Sequence, residues 1–108
     1  MLRSPDFRTV FTGVVVDARI PDTVVVRSRA AMLVCPEGGV LSHWTAARLW
    51  GGVVPDNEWI HVAFMRDVRF RVSGVKPHRF RHRLDIRFRH GLPVTSPAQT
   101  LCHLARHL

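Results

Sequence analysis

The pattern of apolar and polar positions divides the chain into seven stretches. Phe7-Arg8-Thr9-Val10-Phe11 and Val14-Val15-Val16-Asp17 are β-branched and aromatic on either side of Thr12-Gly13. They predict two strands joined by a turn, a hairpin over 7–17. Beyond the connector 18–21, Asp22 or Thr23 offers an N-cap to a stretch without a breaker up to Cys35. Val26, Ala30, Leu33 and Val34 share one helical face there, so a helix is expected near 22–35. Pro36-Glu37-Gly38-Gly39 ends it. Ser42 is the next N-cap, with Leu41 and Ala46 placed as a hydrophobic staple, and a short helix is expected over 42–50 before Gly51-Gly52.

After Pro55-Asp56-Asn57 the period changes to two. Ile60, Val62 and Phe64 alternate with Trp59, His61, Ala63 and Met65. Val68, Phe70 and Val72 alternate with Arg69 and Arg71, and Leu84, Ile86 and Phe88 with Asp85, Arg87 and Arg89. These runs predict strands of an antiparallel sheet with one buried face. Ser73-Gly74 and His90-Gly91 mark turns, and Pro77 points to an edge strand or a bulge. Ser96-Pro97-Ala98-Gln99 is a capping box with proline at the first helical position, so a helix is expected near 96–107. Its apolar face reads as Ala98, Leu101, Cys102, Ala105 and Leu108. The fold class is therefore α+β: a single small domain, with an antiparallel sheet and three short helices, divided into a hairpin over 7–17 and an α+β module over 18–108.

Length and composition agree with that reading. The 108 residues are 46% hydrophobic and 22% charged, as in ordinary globular domains. No run of about 20 apolar residues exists, so no membrane span is expected. Met1 to Asp6 has no apolar h-region, so neither is a secretory signal. Cys35 and Cys102 stand alone on apolar segments and read as reduced core residues of a cytosolic, hence cytoplasmic, protein, with nothing to support a disulfide between them.

Charge changes the picture. Residues 66–90 hold nine basic side chains against Asp67 and Asp85, a net of +7 out of the chain's +8. If 79–89 is extended, Arg79, Arg81, Arg83, Asp85, Arg87 and Arg89 line one face over about 35 Å. Arg69 and Arg71 belong to a second alternating run in the same phase. Two such strands side by side would set like charges opposite one another, an arrangement that a polyanion relieves. The candidate nucleic-acid contacts are thus Arg69, Arg71, Arg79, Arg81, Arg83, Arg87 and Arg89, and duplex DNA is the expected partner, because aromatic side chains for stacking single strands are few. Against this stand two plainer readings. A charged face is usually a solvated face with local pairing to Asp67 and Asp85, and a turn within His78–His82 would split the stripe.

Enzyme signatures are absent: there is no G-x-S-x-G, no phosphate-binding G-x-x-x-x-G-K and no G-x-G-x-x-G. Ser42-His43 and Cys102-His103 are chain neighbours that point about 100° apart on a helix, so neither forms a nucleophile–base pair. Pro21-Asp22 and Pro55-Asp56 lack the acid and lysine spacing of a magnesium-dependent nuclease, since Gly74 stands two residues before Lys76. His103 and His107 share a helical face, and His78 and His82 have the same spacing. Neither pair has a cysteine or carboxylate at ligand spacing, so no metal, cofactor or catalytic residue is expected. His43 and His61 read as hydrogen-bonded core or boundary residues.

Two motifs carry a family resemblance. Leu41-Ser42-His43-Trp44-Thr45-Ala46-Ala47-Arg48-Leu49-Trp50-Gly51 resembles the L-S-H-x-T-A-A-x-L-W-G stretch of AbiEi-type antitoxins. Gly91-Leu92-Pro93-Val94-Thr95-Ser96-Pro97-Ala98-Gln99-Thr100-Leu101 resembles their G-L-P-V-T-S-P-A-x-T-L stretch, and 7–17 is similar to the wing that closes their winged helix. The resemblance implies a type IV toxin–antitoxin regulator that binds operator DNA and opposes a nucleotidyltransferase-like toxin without a stable complex. Related actinobacterial proteins set the same region before a domain similar to very-short-patch-repair endonucleases. Residues 1–6 hold no counterpart of the helix-turn-helix helices, and no nuclease residue can be carried over. The expectation is the central module of such a protein, from a short or truncated gene product, acting as a non-enzymatic antitoxin-like module. The alternatives are a structural linker of a nuclease-like protein and an interaction domain for an acidic partner.

Overall fold

The computed structural model describes residues 19–52, 54 and 59–106, together with the backbone of 7–11 and 14–17. In chain order the elements are β1 (Phe7–Phe11), β2 (Val14–Asp17), α1 (Val24–Val34), β3 (Val40–Leu41), α2 (His43–Leu49), β4 (Ile60–Phe64), β5 (Val75–Arg79), β6 (Ile86–Arg89), β7 (Leu92–Thr95) and α3 (Pro97–Ala105). β1 and β2 form the expected antiparallel hairpin, a two-stranded sheet of its own. Its turn at Thr12-Gly13 lies outside the described residues. The α+β class and the three helices stand as expected.

The main sheet has five strands in the order β5-β4-β3-β7-β6, and it is mixed. β3 pairs antiparallel with β4, and β6 antiparallel with β7, but β3 runs parallel to β7 and β4 parallel to β5. This corrects the purely antiparallel expectation. Each parallel pair arises because the connection between its partners crosses over instead of turning back: 65–74 for β4 to β5, and the long path through α2, β4, β5 and β6 for β3 to β7. The run Val68–Val72, expected as a strand, lies in the first of these connections and pairs with no strand. Its alternation is real all the same. Val68, Phe70 and Val72 are partly buried against the core, Phe70 meeting Phe64 edge-on at 5.8 Å, while Arg69 and Arg71 face outward. Period two here reports one-sided burial without a hydrogen-bonded ladder.

β4 is buried along its whole length, not on one face only. Ile60, Val62 and Phe64 join Leu41, Val75, Leu92 and Val94 in the principal core with Ala30 and Ala31 of α1 and Ala46 and Leu49 of α2. On the other face Ala63 and Val40 pack against Leu84 and Phe80. The segment 80–85 supplies those two residues as it passes from β5, at one edge of the sheet, to β6, at the other. Gly39 makes the central approach possible: a Cβ there would stand 2.8 Å from Val62 Cγ1. Pro77 sits in edge strand β5, where its missing N–H costs no ladder bond. His90 and Gly91, with φ of 53° and 75°, form a two-residue turn with both residues left-handed between β6 and β7.

Two helix faces differ from expectation. α1 is capped by Thr23, whose Oγ1 accepts from Val26 N at 3.2 Å. It buries the small residues Ser28, Ala30 and Ala31 and leaves Leu33 78% exposed. α3 is capped by Ser96, which accepts from Gln99 N. It turns Thr100, His103 and Leu104 inward, so that Ala98, Leu101, Cys102 and Ala105, the expected core face, are exposed. Cys102 is therefore a surface thiol, not a core residue, while Cys35 is partly buried; both are free. Thr100 takes the inner face because its hydroxyl is satisfied there. Thr100 Oγ1 lies 2.6 Å from Thr95 Oγ1 and donates to the Thr95 carbonyl.

The two motif stretches meet. Leu41 pairs in parallel with Val94, α2 and α3 pack together, and Trp50 Nε1 donates to the Thr95 carbonyl at 2.8 Å. Each is a strand that feeds a helix, and the two units pack side by side, strand against strand and helix against helix. Among the described residues no helix is long and apolar enough to cross a membrane.

Candidate functional site

The ribbon expected over 78–90 is not a single strand. β5 ends at Arg79, the chain bends at Arg81-His82, and β6 begins at Ile86 on the opposite edge of the sheet. Phe80 and Leu84 turn onto the second face of the sheet as the alternation expected, but His82, Ile86 and Phe88 are exposed, so β6 lacks the buried face expected of it. The arginines are strung from one edge, across the 80–85 crossover, to the other. Arg69 and Arg71 stand apart in the 65–74 connection, so the feared juxtaposition of like charges does not arise.

All nine basic side chains of 66–90 remain exposed. Their partners differ. Arg79 pairs with Asp67 at 3.2 Å and Arg87 with Asp85 at 3.3 Å, both in solvent. Arg66 donates to the Glu37 carbonyl. Arg89 is part of the fold: its Nε donates to the Leu49 carbonyl at 3.2 Å, and its guanidinium lies 5.7 Å from the centre of the Trp50 ring. Arg69, Arg71, Arg81 and Arg83 meet no carboxylate among the described residues. Gln99 holds the crossover in place, accepting from Asp85 N at 2.7 Å and donating to the Arg83 carbonyl. It thus serves the neighbouring segment instead of closing the capping box.

Sequence reasoning missed the second feature, a stack of imidazoles. His43 begins α2, His61 lies in β4, His78 in β5, His82 in the crossover and His103 on α3. His43 and His78 stack with centroids 3.9 Å apart, and His103 stacks on Phe80 at 4.3 Å, with planes 8° apart. His43 lies 5.2 Å from His103 and 5.8 Å from His61. His61 Nδ1 and His78 Nε2 are 2.8 Å apart, and His82 Nε2 and His103 Nε2 3.2 Å. His43, His61 and His103 are buried; His78 is half-buried.

Local structure aims these rings. The β4–β5 register pairs His61 with Lys76 and Ala63 with His78, so both histidines point to the face that carries Ala63 and Val40. Ser42 occupies the N-cap of α2, but its hydroxyl makes no cap bond. It lies instead 2.8 Å from His43 Nδ1, so these chain neighbours do meet as a hydroxyl–imidazole pair, against expectation, because Ser42 precedes the helix and the helical spacing of side chains does not govern it. His43 has φ of 53°, a left-handed backbone uncommon outside glycine. Thr45 Oγ1 takes the His61 N–H at 2.9 Å, which ties α2 to β4 below the stack. The pairs noted in the sequence, and set aside as a metal site, are those four residues apart. His78 and His82 fall on different elements, and His107 lies outside the described residues, as does Pro55-Asp56. The reading of His43 and His61 as hydrogen-bonded core residues stands.

No family model matches the chain, nor does any curated protein or solved structure.

Proposed function

We propose that the chain is an antitoxin-like, DNA-associated regulatory module of a type IV toxin–antitoxin system, non-enzymatic, that meets duplex backbone through its exposed arginines. One observation carries the nucleic-acid part. All nine cations of 66–90 face solvent, and the segment's two carboxylates are each already held by an arginine. The charge is left to counterions, and a polyanion that replaces them gains the entropy of counterion release. Arg69, Arg71, Arg81 and Arg83 are the primary contacts in this reading, with Arg79 and Arg87 able to exchange their exposed aspartates for phosphate. The antitoxin part rests on the likeness of the two motifs, and their packing side by side supports treating them as one unit. A nucleotidyltransferase-like toxin is the functional counterpart. Its gene directly downstream would distinguish this module from the linker of a nuclease-like protein.

Duplex binding across a salt series tests the reading. With four to five arginines engaged, the log–log slope should be about −4 to −5. The double variant Arg81→Gln/Arg83→Gln should flatten it by about 2 and leave the unfolding midpoint unchanged. A wild-type slope near zero, or no duplex binding at low salt, refutes backbone contact.

A second reading has its own observation. Ala98, Leu101, Cys102 and Ala105 form an exposed apolar stripe along α3, with Leu101 70% exposed. That favours an interaction domain whose arginines meet an acidic protein. Recovery of one acidic protein and no nucleic acid, after nuclease treatment, would select it.

A further inference from the structure

We propose that His43, His61 and His78 form a binding site for a late first-row divalent cation, zinc foremost, with a coordination position left for water. Each residue offers one ring nitrogen, and the three candidate atoms lie within 4.8 Å of one another. In a tetrahedral zinc site with bonds of 2.0–2.1 Å, ligand nitrogens are about 3.3 Å apart. The His61–His78 pair, at 2.8 Å, needs to open by about half an ångström, and the widest separation needs to close by at most about 1.5 Å. The rings stand on three different elements, and binding requires the stacked His43 and His78 rings to tilt so that their nitrogens converge, with His78, the half-buried member, moving most.

Ligand chemistry agrees with the geometry. Three imidazoles without a carboxylate or thiolate suit zinc, copper and nickel and not magnesium or calcium, which take oxygen ligands. Ser42 supplies the outer contact that metal-bound histidines usually have: its buried hydroxyl, 2.8 Å from Nδ1, fixes the orientation of the His43 ring. The left-handed backbone at His43 is a second sign of constraint, since such conformations persist where the surroundings impose them and gather at functional positions. Half-buried His78 gives the ion a path in and the water its place. The site differs from the arginine surfaces in residues and in ligand, so it stands or falls apart from the DNA reading.

Zinc titration of the untagged full-length chain by calorimetry tests it, because a polyhistidine tag would bind the ion itself. One ion should bind per chain. His78→Gln and His61→Gln should each weaken binding by at least about 100-fold, Ser42→Ala by about 10-fold, and His90→Gln, in the β6–β7 turn, by less than about twofold. Circular dichroism in chelator confirms that each variant is folded. A readout on the wild type needs no variant: one equivalent of zinc should shift the imidazole nitrogen resonances of His43, His61 and His78 and leave that of His90 in place. No saturable binding, wild-type affinity in His78→Gln, or unmoved resonances of these three rings would overturn the proposal.

Discussion

Replacing Arg89 by glutamine separates an arginine that holds the fold from those that only face solvent. The Arg89 guanidinium donates to Leu49, the last residue of α2, and lies over Trp50, the C-cap of the same helix. A hydrogen bond from a charged donor contributes about 1.5–3 kcal/mol when buried. Exposure of the side chain brings that to the low end or below. A cation over an indole at an exposed site adds about 0.5–1 kcal/mol, and a positive charge at a helix C-terminus about 0.3–1 kcal/mol. These contributions overlap, and together they come to about 1–2 kcal/mol, or about 5–10 °C in Tm for a domain of this size. Arg81→Gln removes a side chain that meets no carboxylate among the described residues, and should stay within about 0.5 kcal/mol. Urea unfolding of the two variants beside the wild type measures the difference. Arg89→Lys should fall between, because it keeps the charge and loses the planar fork. Equal midpoints for Arg89→Gln and Arg81→Gln would refute that division of the arginines.

Three further outcomes test the core and the thiols. Phe64 is 1% exposed and packs edge-on with Phe70, so Phe64→Ala should cost about 3–5 kcal/mol in chemical denaturation and leave the domain marginal. Burial raises the Cys35 thiol from 9.0 to about 11. Between those values the unfolded chain gives up its proton while the folded chain keeps it, so this residue's contribution is complete below pH 9 and is lost as pH rises toward 11. Cys35→Ala should remove that alkaline decline, and a maleimide at pH 8 should label exposed Cys102 well before Cys35.

Local signals were legible in the sequence where a side chain acts on its own backbone. Thr23 and Ser96 cap the helices expected of them, His90-Gly91 turns, and Pro77 marks an edge. Partner choice was not legible. Nothing in Leu92-Pro93-Val94-Thr95 says that it will lie parallel to Val40-Leu41, and so the sheet was expected to be antiparallel. The α3 face was misread because periodicity counts Leu101 as inward and Thr100 and His103 as outward. Hydrogen bonding and ring stacking reverse that preference once neighbours are present. The arginines are exposed as expected, but Ile86 and Phe88 between them are exposed too, and a bend of two residues carries the halves of the run to opposite edges. The histidine cluster had no spacing motif: its members lie on three separate elements, about 17 or 18 positions apart, and only strand register makes them converge. A hint was present in His61, a histidine embedded between apolar neighbours in a strand whose other alternate residue is the small Ala63.

The parallel contact between Leu41 and Val94 also sets the order in which the molecule can assemble. β3 is two residues long and lies at the centre of the sheet, yet its second neighbour arrives about fifty positions later. On a ribosome, the strand would emerge with one flank open and stay so until β7 cleared the exit tunnel. The β6–β7 hairpin can form by itself in microseconds. Its docking closes a long loop for little ladder in return, so the rate of folding should depend on that late encounter more than on any helix.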